Sequence, residues 1–231
     1  MAASDTSNGI ISPALFDQYT AKWLDVVSQP DGSVLAQAFL VNGKDRLLFV
    51  GFPIKQITSL VSAVGVQKIK ARFLLIPGAD GQPHFSLALF ATGVDDEIVS
   101  AYYVPDQYWT GAARTPVLGE PVPGDLAAQW MANWKAAPAV TSAQFAYTQG
   151  PLQGYNFDIK DFMTPLFAAQ PFGDQQVRLN LGLHEYYAAN SSGAGPTQTF
   201  GLVLRVYSAG QSVSTSDDGF YDMATPCPPT H

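Results

Sequence analysis

The chain has 231 residues, enough for one large domain or two small ones. Hydrophobic residues make up 47% and charged residues only 13%, about half the charged share of ordinary soluble domains, so Gly, Ser, Thr, Gln and Pro must cover much of the surface. The net charge of −7, with 12 basic residues and no basic run, excludes the clustered cationic face that a nucleic-acid binder needs and disfavours an anionic membrane surface.

In chain order, residues 1–9 are small and polar, without the cationic start and apolar stretch of a signal peptide. No run reaches the ~18 apolar residues that span a bilayer. The expectation is a cytoplasmic protein with no membrane insertion, an extracellular mature form being the alternative. Ser12-Pro13 reads as an N-cap with Pro at the first helical position. Leu15, Phe16, Tyr19, Trp23, Val26 and Val27 then share one helical face, predicted to be core. Asn42-Gly43 favours a tight turn, so Leu35 to Val41 and Leu47 to Phe52 are predicted as extended segments of an edge hairpin. A second helix is predicted from Pro53, with Ile54, Ile57, Leu60, Val61 and Val64 at helical spacing and Gly65 as a stop. Alternation then predicts a strand with Ile69, Ala71, Phe73 and Leu75 on one face and Lys70 and Arg72 on the other. A turn over 77–81 leads to a returning strand with Phe85, Leu87, Leu89 and Ala91, and Ile98 to Val104 is a third extended run.

The remainder repeats this plan. Leu15-x-x-Gln18-Tyr19-x-Ala21-x-Trp23 recurs as Leu126-x-x-Gln129-Trp130-x-Ala132-x-Trp134. Phe52-x-Ile54-Lys55 recurs as Phe157-x-Ile159-Lys160, and Ile69-Lys70 with Phe73 and Leu75 as Val177-Arg178 with Leu181 and Leu183. Phe85-x-Leu87-x-Leu89 recurs as Phe200-x-Leu202-x-Leu204, and Asp95-Asp96 as Asp217-Asp218. The matches keep their order, and the offset changes only between elements, where loops differ in length. Asp158 with Asp161 resembles a capping box for the second copy's second helix, and Pro165 is predicted to break that helix. The fold class read from this pattern is α+β: a tandem duplication of a two-layer unit, two helices on an antiparallel sheet, in pseudo-two-fold arrangement. The boundaries are 10–105 for the first unit, 106–120 for the linker, and 121–231 for the second unit with its Pro-rich tail.

A helix like Ile11–Trp23, an aromatic run into a second helix like Phe49–Val61, a strand like Ile69–Ile76 and the tail Cys227-Pro228-Pro229-Thr230-His231 together carry a resemblance. The chain resembles a group of bacterial proteins of no assigned function, commonest in the Bacteroidota, that carry one such unit and end in Cys-Pro-Pro-x-Cys. His231 stands where that group has its last Cys. The resemblance implies the unit and no chemistry.

Few residues offer chemistry. His184 beside Glu185 is the nearest approach to an acid–base pair, but neighbours on a strand face opposite ways. Cys227 and His231 supply two of the roughly four ligands that zinc needs. Gly193-Ala-Gly195 runs into Pro196 instead of a phosphate-binding helix. No catalytic residue, cofactor or metal ligand is therefore assigned. The aromatic group Tyr102, Tyr103, Tyr108 and Trp109 is the candidate binding surface, with packing at the inter-unit seam as the competing role. The expected function is a non-enzymatic binding or structural protein whose partner is another protein or a second copy. The alternative is an enzyme or small-ligand protein with its pocket between the units.

Overall fold

The computed structural model describes residues 9–78, 81–105, 115–116, 124–147, 149–168, 170, 172–173, 175–186, 197–208 and 225–226. Its first half runs β1 (Ile10–Ile11), α1 (Pro13–Val27), α2 (Ser33–Ala38), β2 (Leu40–Val41), β3 (Asp45–Arg46), β4 (Phe49–Pro53), α3 (Ile54–Val61), β5 (Lys68–Pro77), β6 (Pro83–Thr92) and β7 (Tyr102–Tyr103). The second half runs β8 (Thr115–Pro116), α4 (Gly124–Ala136), a 3-10 turn (Ser142–Phe145), β9 (Ala146–Tyr147), β10 (Gly150–Pro151), β11 (Gly154–Asp158), α5 (Ile159–Ala168), β12 (Gln176–Tyr186), β13 (Thr197–Ser208) and β14 (Thr225–Pro226). The fold is mixed α and β, and its sheets are antiparallel. One has the order β1-β7-β6-β5-β11-β14 and the other β4-β12-β13-β8; β2-β3 and β9-β10 are small hairpins. Among the described residues no helix is long and apolar enough to cross a membrane.

Local chemistry sets the elements. Ser12 caps α1 by accepting from the Leu15 amide at 3.3 Å, with Pro13 opening the helix. At the start of α5, the Asp158 amide donates to the Asp161 carboxylate at 3.0 Å and Asp158 accepts from the Lys160 amide at 3.0 Å. Two sequence expectations are corrected here. Pro165 lies inside α5 without ending it. It removes one amide from the ladder, but Phe162 and Leu166 on either side of it are buried, and that anchorage holds the helix across the gap. The segment around Leu35 is not extended: Ser33–Ala38 is helical, started by Asp31, which accepts from the Ser33 amide at 2.9 Å. The tight turn at Asn42-Gly43 is present, with φ of 52° and 67°.

The strand pairing crosses the halves. β4 does not add to the first half's hairpin; it pairs with β12, Phe52 opposite Val177. β11 pairs with β5, Phe157 opposite Ile69. Further bonds follow the same crossing. The Trp23 indole donates to the Leu152 carbonyl at 2.8 Å, and the Trp134 indole to the Leu47 carbonyl at 2.7 Å. The Phe73 amide donates to Gln153 O and the Leu181 amide to Leu48 O, both at 2.9 Å. The Ile54 amide donates to Gln175 O at 3.2 Å and the Ile159 amide to Gln67 O at 3.3 Å. Gly154 makes the β11 crossing possible on its side: its φ is 151°, and a Cβ there would lie 2.0 Å from the Ala71 carbonyl oxygen.

Between the sheets lies one core. Trp23 meets Phe39, Phe73, Phe85 and Phe145 edge-on, and Trp134 meets Phe39 and Phe200 in the same way. These rings come from both halves and are all buried. Each first helix serves two faces of its sheet. In α1, Trp23, Val26 and Val27 enter this core, while Leu15, Phe16 and Tyr19 pack on Leu74, Ala88 and Phe90 of the opposite face. In α4, Trp134 enters the core and Trp130 packs with Ala127 and Val203 outside it. The expected burial of Leu126 is not met: it is 40% exposed, because α4 turns only its Ala127, Trp130 and Trp134 side inward.

Candidate functional site

α1 reaches both faces of its sheet by crossing beside β5 where β11 leaves it. A cleft of about 170 Å³ opens there, lined by Phe16, Thr20, Trp23 and Leu24 of α1, by Arg72 and Phe73 of β5, and by Gln153 just before β11. Its walls are fixed from both halves. Trp23 is held by its bond to the Leu152 carbonyl, Phe73 by its amide bond to Gln153 O. Phe16 stacks on Tyr102 at 4.0 Å between ring centroids, 13° from parallel. The Thr20 hydroxyl donates back to the Phe16 carbonyl at 2.9 Å. Arg72 is 9% exposed, and one of its terminal guanidinium nitrogens is buried with no hydrogen-bond partner among the described residues. A buried cation without an acceptor is costly, because the desolvation of its donor is not returned. The cleft combines that cation with aromatic walls and one hydroxyl.

On the corresponding flank of the other sheet an imidazole packs against the helix. His184 stacks on Trp130 at 3.8 Å, 15° from parallel. Burial pulls the imidazole down from its ordinary 6.5 to about 4, and its Nε2 is buried without a partner among the described residues. Gly201 leaves the room it needs, since a Cβ there would sit 2.1 Å from Nε2. Glu185 does not converge on it: that carboxylate is exposed and accepts from the Gln198 amide nitrogen at 2.8 Å. The acid–base pairing weighed from the sequence is therefore absent from the geometry, as strand alternation requires. Farther along the same face, Arg178 sits 3.9 Å over Phe49 and 4.3 Å over Tyr207, with its Nε donating to Gln176 at 3.0 Å. This is cation–π packing of a buried strand face.

Of the aromatic candidates, Tyr102 is buried, between Phe16 and Phe90, and does not present its ring at a surface. Tyr103 is half-buried against the central core and pairs with Ile10 and Leu89. Tyr108 and Trp109 lie outside the described residues, as do Cys227 and His231. Among the described residues no group of three or more His, Cys, Asp or Glu is placed to hold a metal ion. Sequence reading missed Arg72 and Gln153. The signal for Arg72 was its register: it shares a strand face with Leu74 and Ile76, an apolar setting for a cation. Comparison with protein-family models, with curated proteins and with solved structures finds no match.

Proposed function

We propose that this chain is a non-enzymatic binding protein made by tandem duplication of one α+β unit, with the two copies in pseudo-two-fold relation, each lending a strand to the other's sheet. The observation that carries the reading is reciprocity. Aligning the halves by their sequence correspondence sends Trp23 to Trp134 and Leu152 to Leu47, so each indole bond maps onto the other. The same alignment exchanges the pairing of Phe157 with Ile69 for that of Phe52 with Val177. A single-unit ancestor, like the Bacteroidota proteins that the chain resembles, would make these contacts as a strand-exchanged homodimer. Aromatic rings of the two halves pack on one another, which favours recognition at the periphery over a reaction chamber on the axis. Tyr108 and Trp109 are the partner-facing residues in this reading, since Tyr102 and Tyr103 are engaged inside.

The small-ligand alternative is favoured by one observation: the cleft beside β5 takes Gln153 from the second half and Arg72 from the first. The main reading is tested by producing residues 1–112 and 113–231 as separate chains. Alone, neither should be a folded monomer of the parent's stability, because each sheet lacks a strand. Mixed, they should form a 1:1 complex with the parent's circular dichroism and one cooperative unfolding transition. A half that folds alone as a stable monomer contradicts the reading.

A further inference from the structure

We propose that the cleft between α1 and β5 binds a small carboxylate with an apolar, planar body, its carboxylate held by Arg72. This deepens the small-ligand reading above and rests on the chain being a binding protein. The cavity volume of about 170 Å³ sets the size. Apolar cavities of about 150 Å³ accommodate a benzene-sized molecule. Phe16, Trp23 and Phe73 supply ring faces and edges for a planar body, and Leu24 an aliphatic wall.

Charge sets the chemistry. Arginine stays charged in proteins, and its planar fork fits a carboxylate through two parallel hydrogen bonds. Arg72 lines the cleft, is nine-tenths buried, and has a terminal nitrogen with no acceptor among the described residues. A carboxylate in the cleft gives this guanidinium the charge partner that none of the described residues supplies. The Thr20 hydroxyl is spent on the Phe16 carbonyl but keeps its lone pairs. Among the described residues the cleft lining holds no second cation, so the site matches one carboxylate better than a phosphate, which needs more donors. The aligned position on β12 is Asn180, whose side-chain nitrogen donates to the Val203 carbonyl at 3.0 Å. The second half thus has no equivalent cation, and one ligand per chain is expected.

The test titrates the full chain with benzoate, following backbone amide resonances by NMR and heat by calorimetry. Saturable 1:1 binding should perturb residues 16–24, 72–73 and 153. Toluene, which keeps the ring and loses the charge, should bind at least tenfold more weakly. Inorganic phosphate should leave these resonances unmoved. Arg72→Gln should weaken benzoate at least tenfold; should that variant not fold, Thr20→Phe, which fills the cleft from its half-buried side, should abolish binding while the far flank at His184 keeps its shifts. The proposal fails if benzoate moves no cleft resonance up to tens of millimolar, if toluene binds as well, or if Thr20→Phe binds as the parent does. Reassembly of the parent halves is measured without ligand, so a negative titration with successful reassembly overturns the ligand and leaves the two-unit reading standing.

Discussion

The flank of β5 under α1 and the flank of β12 under α4 start from matching sequence and end as different surfaces. Alignment sets Leu74 of the first against Gly182 of the second, and Tyr19 against Trp130. A Cβ at Gly182 would sit 3.1 Å from the Trp130 Cβ, a contact tight enough that α4 would have to give by a few tenths of an ångström. On the first flank Leu74 is fully buried beneath α1, and Arg72 and Thr20 border an open cleft. On the second, the aligned residues are Asn180 and Met131, and Trp130 stacks on His184 beside them. A leucine at one flank and a glycine at the other set how closely a helix can lie on its strand, and so how much room is left beside it. The side chains at the same positions then decide whether it holds a cation.

What the flanks share is the tryptophan at the end of each helix, and it carries the largest expected effect. Trp23→Ala and Trp134→Ala should each cost about 3–5 kcal/mol, the range for large aromatic deletions in a core. Both remove a fully buried ring together with an indole bond into the other half. Denaturant unfolding of either variant should stay a single transition, because each tryptophan ties the halves together. Two separate transitions, or a large cost at one site only, would break the likeness of the flanks.

His184 sharpens the contrast, since the aligned residue on the first flank is Ile76. The folded imidazole has its pKa lowered to about 4 by burial, while the unfolded one titrates near its ordinary 6.5. Between these values the unfolded state binds the extra proton, so stability is full above about pH 6.5 and falls as pH drops towards 4. The loss should reach about 3 kcal/mol, taking 1.36 kcal/mol per unit of pKa difference. His184→Gln should flatten the profile in that window, measured by urea unfolding at a series of pH values. An unchanged slope would mean that the ring is solvated and that the Trp130 stack does not exclude water.

Much of this architecture was legible and some of it was not, for physical reasons. The cap at Ser12, the turn at Asn42-Gly43 and the alternation of β5, β6, β12 and β13 are local, and local patterns specify them. The segment Phe49–Pro53 was legible as extended, but a strand's own sequence does not name its partner across a hundred residues of chain, so its pairing with β12 was hidden. Pro165 misled because propensity alone omits the burial of Phe162 and Leu166. At the site, alternation put Arg72 opposite the core face, where a strand residue ordinarily meets water. Its burial comes with α1 packing over that face of the sheet, a tertiary event that no window of sequence contains.

The smallest expected effect separates the two ways in which the aligned cations Lys70 and Arg178 are accommodated. Lys70 is buried and its ammonium pairs with the Asp96 carboxylate, which is half-exposed and which that bond holds below the ordinary carboxylate range. Arg178 instead lies over the rings of Phe49 and Tyr207 and donates to Gln176. Asp96→Asn isolates the charge, because Asp96 has a φ of 64° and Asn adopts that conformation as readily as Asp. Water reaches the carboxylate, so the loss should be only about 1 kcal/mol at low salt and smaller at 1 M salt, where the Debye length falls to about 3 Å. A carboxylate with a depressed folded pKa stabilises above its unfolded value of 3.8, and that contribution disappears as pH falls through the folded value. Parent and variant should therefore converge in acid. Phe49→Leu on the other flank should cost a similar ~1 kcal/mol, but its cation–π contact involves no titrating partner, so the loss should persist in acid. Urea unfolding of both variants at two salt concentrations and two pH values gives the comparison. Equal salt and acid responses at Asp96 and Phe49 would show that both cations are held in the same way.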